Sequence, residues 1–309
     1  MMRTALLRLS RSEKAREAVT HYKFMQRAAR RFVAGETLEE ALQVTQELNR
    51  NGILATLDHL GENVASEVEA RASREEYLCV LDSIEQSKVR SNASLKLTQM
   101  GMDLSFEQCY QNVRTIVARA KRYSNFVRID MESSAYTDRT LQLYGQLRKE
   151  GFTNVGVVIQ AYLYRSAEDI ERLVEMGANV RLCKGAYQEP ANLAFPQKED
   201  VDANYMKLVE LMLSEKTQQK GAYPALATHD GKLIEWAKRF TREHKINSEK
   251  FEFQMLYGIR RDLQQQLVRE GYRVRVYVSY GTHWYPYFMR RLAERPANVF
   301  FLLKNLVRG

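Results

Sequence analysis

The pattern of hydrophobic and polar positions changes texture near residue 52. Before it, the pattern is helical. Residues 12–34 carry helical periodicity closed by Gly35. Thr37, with Glu40 three residues on, has the form of a capping box opening a second helix that ends at Asn51-Gly52. Leu38, Ala41, Leu42, Thr45 and Leu48 fall on one face of it. From residue 53, short β-branched apolar runs alternate with helical stretches. The runs are ILATLD (53–58), ASLKLT (93–98), FVRIDM (126–131), VGVVIQ (155–160), NVRLCK (179–184), PALATH (224–229), FEFQML (251–256) and VRVYVS (274–279). Between most of them lie helical patterns closed by glycine, such as TLQLYGQLRKEG (140–151), AEDIERLVEMG (167–177) and DLQQQLVREG (262–271). Eight strands alternating with helices predict a parallel sheet with crossovers, and the count of eight favours a closed (βα)8 barrel of the TIM type. The chain divides on this reading into an N-terminal helical addition (1–52) and the barrel (53–309), with a closing helix from Trp284.

In such a barrel the active site lies at the C-terminal ends of the strands. Here those ends are polar. Asp58 and His59 end the first, Lys96 the second, Asp130 the third and Gln160 the fourth. Arg181 and Lys184 lie in the fifth, Thr228 and His229 end the sixth, Gln254 lies in the seventh and Tyr277 in the eighth. Mutual ion pairing inside the barrel is one explanation, because a desolvated unpaired charge is costly. A binding rim is the other. The closing helix adds to the choice. Its 3.6-residue period puts Tyr287, Arg290, Arg291 and Glu294 along one edge. Two adjacent guanidiniums suit a small carboxylate, whereas the plainer reading is a solvated basic face.

Composition narrows the classes. The hydrophobic and charged fractions are those of a folded protein, and the formal net charge of +9 favours anionic partners without choosing among them. Cys79, Cys109 and Cys183 lie far apart with no CxxC pair, which argues against a disulfide scaffold and fits a reducing compartment. No apolar run approaches the ~18 residues of a membrane span. The N-terminus is Arg-rich but lacks a secretory core, and Glu13 and Glu17 count against a mitochondrial presequence. The expected location is cytoplasmic. No metal-ligand spacing, GxSxG elbow, GxGxxG turn or Walker loop occurs, so no metal site is expected. A phosphorylated cofactor would rest instead on strand-end cations and on Gly185-Ala186, where the backbone can approach a phosphate closely.

The blocks RLCKGAY (181–187), VIQAYLY (158–164), ATHD (227–230), EFQMLYG (252–258), VYVSYG (276–281) and YFMRRLAE (287–294) resemble proline dehydrogenase, in the family's order and over about 53–294. The resemblance implies a distorted barrel with added N-terminal helices and non-covalent FAD. It implies oxidation of L-proline to Δ1-pyrroline-5-carboxylate, with hydride passing from substrate C5 to flavin N5. By the same resemblance, Arg290 and Arg291 grip the substrate carboxylate with Lys96, Tyr277 and Tyr287 wall the ring, and Leu256 packs on it. Asp130 is the active-site carboxylate, Arg181 stands near flavin N5, and Gln160 near the pyrimidine edge. Lys184, Gly185, Ala186, Tyr187, Thr228 and His229 serve the flavin and its phosphates, with Met131 and Glu252 as further cofactor candidates. Electrons go to a membrane quinone, which is compatible with a peripheral contact of the basic helices at the inner face of the membrane; no nucleic acid partner is expected.

The chain departs from the family pattern in places. Ser279 stands where the family usually has proline, which predicts a looser loop. Cys183 replaces an aliphatic residue, and QEP follows KGAY, unlike the long bifunctional members, so the chain reads as the monofunctional bacterial type. Glu62 is expected to pair with one of the arginines when substrate is absent, and Glu294 to orient one of them. Two rival readings stand beside this one. Lys96 and Lys184 sit where barrel aldolases carry a Schiff-base lysine, and the basic charge suits a nucleic-acid or membrane-surface protein.

Overall fold

The structure is a computed structural model that describes residues 28–294, the last by its backbone alone. All eight expected strands form and close a barrel in sequence order, with every neighbouring pair parallel and the last strand paired to the first. They are β1 (Leu54–His59), β2 (Ser91–Leu95), β3 (Val127–Ile129), β4 (Val155–Gln160), β5 (Asn179–Cys183), β6 (Tyr223–Ala227), β7 (Glu252–Leu256) and β8 (Val274–Tyr280). The barrel follows α1 (Leu38–Arg50). The connections carry α2 (Glu67–Ser87), α3 (Phe106–Arg122), α4 (Thr137–Lys149), α5 (Ser166–Glu175), α6 (Lys198–Leu213), α7 (Glu215–Gln219), α8 (Gly231–Glu243) and α9 (Arg261–Arg269), and α10 (Trp284–Glu294) follows β8.

The capping box forms as expected. The Thr37 side chain accepts from the Glu40 N–H, and the Glu40 carboxylate accepts from the Thr37 N–H, satisfying donors that a helix start leaves open. Helix α1 packs on β1 and β8, with Ala41 in the main apolar core and Leu38, Leu42 and Leu48 against it. The helix expected over 12–34 lies mostly outside the described residues, within which only Ala28 and Ala29 are helical. Gly177 shows why a glycine ends α5: it sits at φ +60°, and a Cβ there would lie 2.6 Å from the Lys220 carbonyl.

Period-2 alternation divides each strand between two surroundings. Leu57, Leu95, Ile129, Val157, Leu182, Phe253, Val276 and Val278 belong to the main apolar cluster with the helices. Their strand neighbours bond to one another inside the barrel. Thr56 donates to Asn92 (2.5 Å), Arg128 to the carbonyl of Asn179 (2.7 Å), and Arg275 to Glu252 (2.8 Å). A barrel of this type usually fills its interior with branched apolar side chains. This one fills much of it with a hydrogen-bonded polar network. Gly156 makes room for it, since a Cβ would meet the Arg128 guanidinium at 2.5 Å.

Candidate active site

The network is densest toward the C-terminal ends of the strands. Lys96 and Asp130 each follow a strand by one residue, while Arg181 and Tyr277 lie within β5 and β8. Arg181 Nη1 donates to Asp130 Oδ1 (2.8 Å), and the Tyr277 hydroxyl donates to Asp130 Oδ2 (2.5 Å). Ser94 Oγ adds a third bond to Asp130 (2.7 Å). Lys96 Nζ lies 2.9 Å from Asp58 Oδ1 and 4.0 Å from Asp130. The Arg181 guanidinium also sits 5.1 Å from the centroid of the Tyr277 ring, within cation–π range. Five strands thus supply one cluster. The ion-pairing and binding-rim explanations of these polar ends describe the same residues.

Electrostatics explains why buried charges persist there. Burial opposes the Lys96 ammonium, yet Asp58 and then Asp130 outweigh it and hold its pKa above the ordinary lysine value. Burial pushes the Tyr277 phenol well up, and the Asp130 and Asp58 charges push the same way, so it remains a donor. Burial lowers His59, more than Glu76 and Asp58 raise it, which favours its neutral form.

Helix α10 brings Arg290 to the edge of this cluster, where the charges of Glu62 and Asp58 act on it. Arg290 Nη1 donates to Glu62 Oε1 at 3.0 Å, with both side chains largely sheltered. Burial opposes the Arg290 charge, while the Glu62 carboxylate and the Tyr187 phenol outweigh it and keep the guanidinium's pKa raised. Arg291 is buried, its guanidinium 5.0 Å from the Tyr287 ring centroid. Tyr287 and Leu256 share an apolar cluster with Trp284, Tyr285 and Phe288.

Most of the residues expected to serve a cofactor end or follow β4, β5 and β6. Gln160 donates to the Glu132 carbonyl (2.7 Å). His229 Nε2 accepts from the Leu256 N–H (3.2 Å), and Thr228 Oγ1 accepts from the Asp230 N–H (3.1 Å), tying the end of β6 to β7 and to α8. Lys184 lies between Asp202 (2.5 Å) and Asp230 (2.9 Å). Gly185 has φ +118° and packs so closely on Tyr162 that a Cβ would clash at 2.5 Å; Ala186 and Tyr187 follow, half-buried. Burial is the leading cause that raises the Tyr187 phenol, with the Arg290 charge opposing it. A cavity of about 470 Å³ lined by Arg31, Phe32 and residues 258–262 involves none of these side chains.

Two expectations change. Glu252 is the first residue of β7, at the opposite end of the strand from the rim, and is bound to Arg275 and Gln254. A motif match cannot distinguish the start of a strand from its end, and this position is inconsistent with a cofactor role. Met131 follows Asp130 at the C-terminal end of β3 and packs in the main apolar core, a position compatible with the expected cofactor contact. Ser279 is not in a loop: it is fully buried in β8, its carbonyl accepts from Ala34 (2.8 Å), and its hydroxyl donates to Asp58 Oδ2 (3.2 Å). The Glu294 side chain lies outside the described residues.

Other residues emerge only in three dimensions. The Glu132 carboxylate accepts from the Thr98 N–H (3.0 Å) and hydroxyl (2.6 Å), and its burial raises its pKa. Glu189 accepts from the Ser134 N–H (2.7 Å) and the Tyr162 hydroxyl (3.4 Å), fastening the β5–α6 loop to the turn after β3. Ser94 shares the inward parity of Lys96, a signal present in the alternation, as Gln254, already among the expected polar strand residues, shares that of Leu256.

The model of the proline dehydrogenase family matches residues 41–304. Proline dehydrogenase 1 of Bacillus subtilis subsp. natto is 48% identical over 280 residues, 91% of each chain. Proline dehydrogenase of Deinococcus radiodurans is 44% identical over 285 residues, 91% of this chain and 90% of that protein. Among solved structures, proline utilization A from Bdellovibrio bacteriovorus, inactivated by N-propargylglycine, superposes with a TM-score of 0.81 at 27% identity, covering 87% of this chain and 33% of that one.

Proposed function

The chain belongs to the proline dehydrogenase family, and on that premise we propose that it oxidises L-proline to Δ1-pyrroline-5-carboxylate using non-covalent FAD, with a membrane quinone as the final acceptor. The observation that carries the reading is the Arg290–Glu62 pair. A guanidinium beside the cluster already holds a carboxylate at 3.0 Å, in the geometry that the substrate carboxylate would take over. Arg291 and Lys96 add cations, and Tyr277, Tyr287 and Leu256 supply walls for an apolar ring. Anchoring the carboxylate holds the remote ring carbon in one place, which lowers the entropic part of the barrier.

The donor set fits a flavin. Gln160 offers an amide, Arg181 a permanent cation, Lys184 a cation for a phosphate to share with two aspartates, and Gly185-Ala186 backbone N–H groups. When bound, the flavin supplies the hydride acceptor. Arg181, within β5, would stabilise negative charge developing beside it. Asp130 orients Arg181 and Tyr277. Glu62 gates the site, releasing Arg290 when a carboxylate enters. No helix of the described residues is long and apolar enough to cross a membrane.

The Schiff-base reading loses ground for a physical reason. Such a lysine must be neutral to attack, whereas Asp58 and Asp130 hold Lys96 in its charged form. The deciding experiment is an absorption spectrum before and after adding proline under anaerobic conditions. Bleaching of a flavin band is expected; a folded, colourless protein that takes up no FAD would refute the proposal. Arg290→Ala or Arg291→Ala should raise KM for proline about 10²-fold or more, the ~3 kcal/mol scale of a lost charged hydrogen bond, with flavin retained. Glu62→Ala that leaves proline kinetics unaltered would remove the gate.

A further inference from the structure

We propose that Gln254 and Glu252 form a positioning relay that fixes the Arg181 guanidinium from beneath, a role that rests on the flavin reading of Arg181. Arg181 Nε donates to Gln254 Oε1 at 2.5 Å, and Gln254 Nε2 donates to Glu252 Oε1 at 2.5 Å. Glu252 is held in turn by Arg275, whose Nε lies 2.8 Å from Oε1 and Nη2 3.3 Å from Oε2. At the other end, Arg181 Nη1 donates to Asp130 at 2.8 Å. The chain Arg275–Glu252–Gln254–Arg181–Asp130 therefore crosses the barrel interior through β8, β7, β5 and the end of β3. Arg181, Glu252 and Gln254 are each at most 7% exposed.

The chemistry of an amide makes this a directional device. A guanidinium can only donate and an ionised carboxylate can only accept, so an amide between them has one satisfactory orientation. Turned over, Gln254 would set N–H against N–H at Arg181 and oxygen against oxygen at Glu252, leaving buried groups unpaired on both sides. Glu252 must be ionised for this to hold. Burial pushes its pKa up, but Arg275 and Gln254 outweigh burial and the net shift is downward. With Nε committed to Gln254 and Nη1 to Asp130, the guanidinium plane is fixed at two points. Nη2 is then the group left for a bound partner.

The test compares Gln254→Leu, Glu252→Gln, Gln254→Glu and the double swap Glu252→Gln/Gln254→Glu, with Arg181→Met as reference. Each is measured as the FAD-loaded enzyme for kcat and KM with proline, for flavin reduction potential, and for melting temperature. The expected result is a kcat about 10- to 100-fold lower in Gln254→Leu, the range for losing an outer partner of a site side chain. KM should change little, and the potential should become more negative. The double swap restores the order donor, acceptor, donor along the chain, so it should recover kcat and potential beyond either single variant.

If Arg181→Met alters potential and kcat while Gln254→Leu leaves both within twofold, the relay is wrong and the flavin reading stands. If Arg181→Met itself leaves potential and kcat unchanged, the flavin reading of that residue fails and the relay falls with it. A double swap no better than the single variants would mean packing rather than polarity is what matters, which also overturns the relay. Should Gln254→Leu fail to fold, Gln254→Glu decides the matter. It preserves volume but opposes two carboxylates, so its activity should rise at lower pH relative to the parent; a parallel pH profile overturns the proposal.

Discussion

Asp58→Asn tests the central electrostatic claim. Asp58 is fully buried and its Oδ1 lies 2.9 Å from Lys96 Nζ, itself 9% exposed. At that separation the Coulombic attraction is roughly 6 kcal/mol for an effective dielectric of 20. The asparagine keeps a neutral acceptor, worth ~1 kcal/mol. Asp130, 4.0 Å from Lys96, takes up part of the loss, and relief of Asp58 desolvation offsets more. What remains is about 3–5 kcal/mol, the scale for breaking one side of a buried ion pair. Urea unfolding of the FAD-loaded protein should show it. With a slope of ~3 kcal/mol/M, the midpoint should fall by roughly 1–2 M. The control is Asp58→Leu/Lys96→Met, which leaves Asp130 with Arg181 and should be less destabilised than Asp58→Asn because no buried ammonium is stranded. A loss below ~0.5 kcal/mol for Asp58→Asn, the level of an ordinary surface change, would refute the assignment.

Other consequences are simpler to check. Thr37→Ala removes half of the α1 capping box and should cost about 0.5–2 kcal/mol in denaturation, with KM for proline unchanged. Gly177→Ala forces a Cβ to 2.6 Å from the Lys220 carbonyl at φ +60°. It should lower stability by more than ~1 kcal/mol and leave the flavin spectrum unaltered. Alkaline titration should be steep: the folded state raises Lys96 above 10.5 and Tyr277 well above 10.0. Each group then binds more protons folded than unfolded above those ordinary values, so stability is complete below them and falls as pH rises further. Chemical denaturation between pH 9 and 11 reads this directly, and Tyr277→Phe should flatten the fall.

How far the sequence alone reaches can be judged element by element. Eight short apolar runs alternating with helical stretches were enough for the barrel, because parallel strands need a crossover helix between them and eight such units close the sheet. The capping box at Thr37–Glu40 was legible too, since its hydrogen bonds are local. The strand-end charges from Asp58 to Tyr277 and the arginine pair on α10 also stood out, as polar groups where a purely structural strand would carry apolar ones. Tertiary structure decided most of their partners. Asp130 meets Arg181 and Tyr277 across 51 and 147 residues of chain, whereas the pairing of Glu62 with an arginine was expected and the structure gives it to Arg290, 228 residues away. It also decided depth: Glu252 and Gln254 are two residues apart on one inward edge, yet one lies where the strand starts and the other beside the rim. Ser279 turned from an expected loop residue into a buried partner of Asp58 for the same reason. Periodicity determines which way a side chain faces. What it faces depends on barrel closure and stagger, which bring together residues that no local pattern relates.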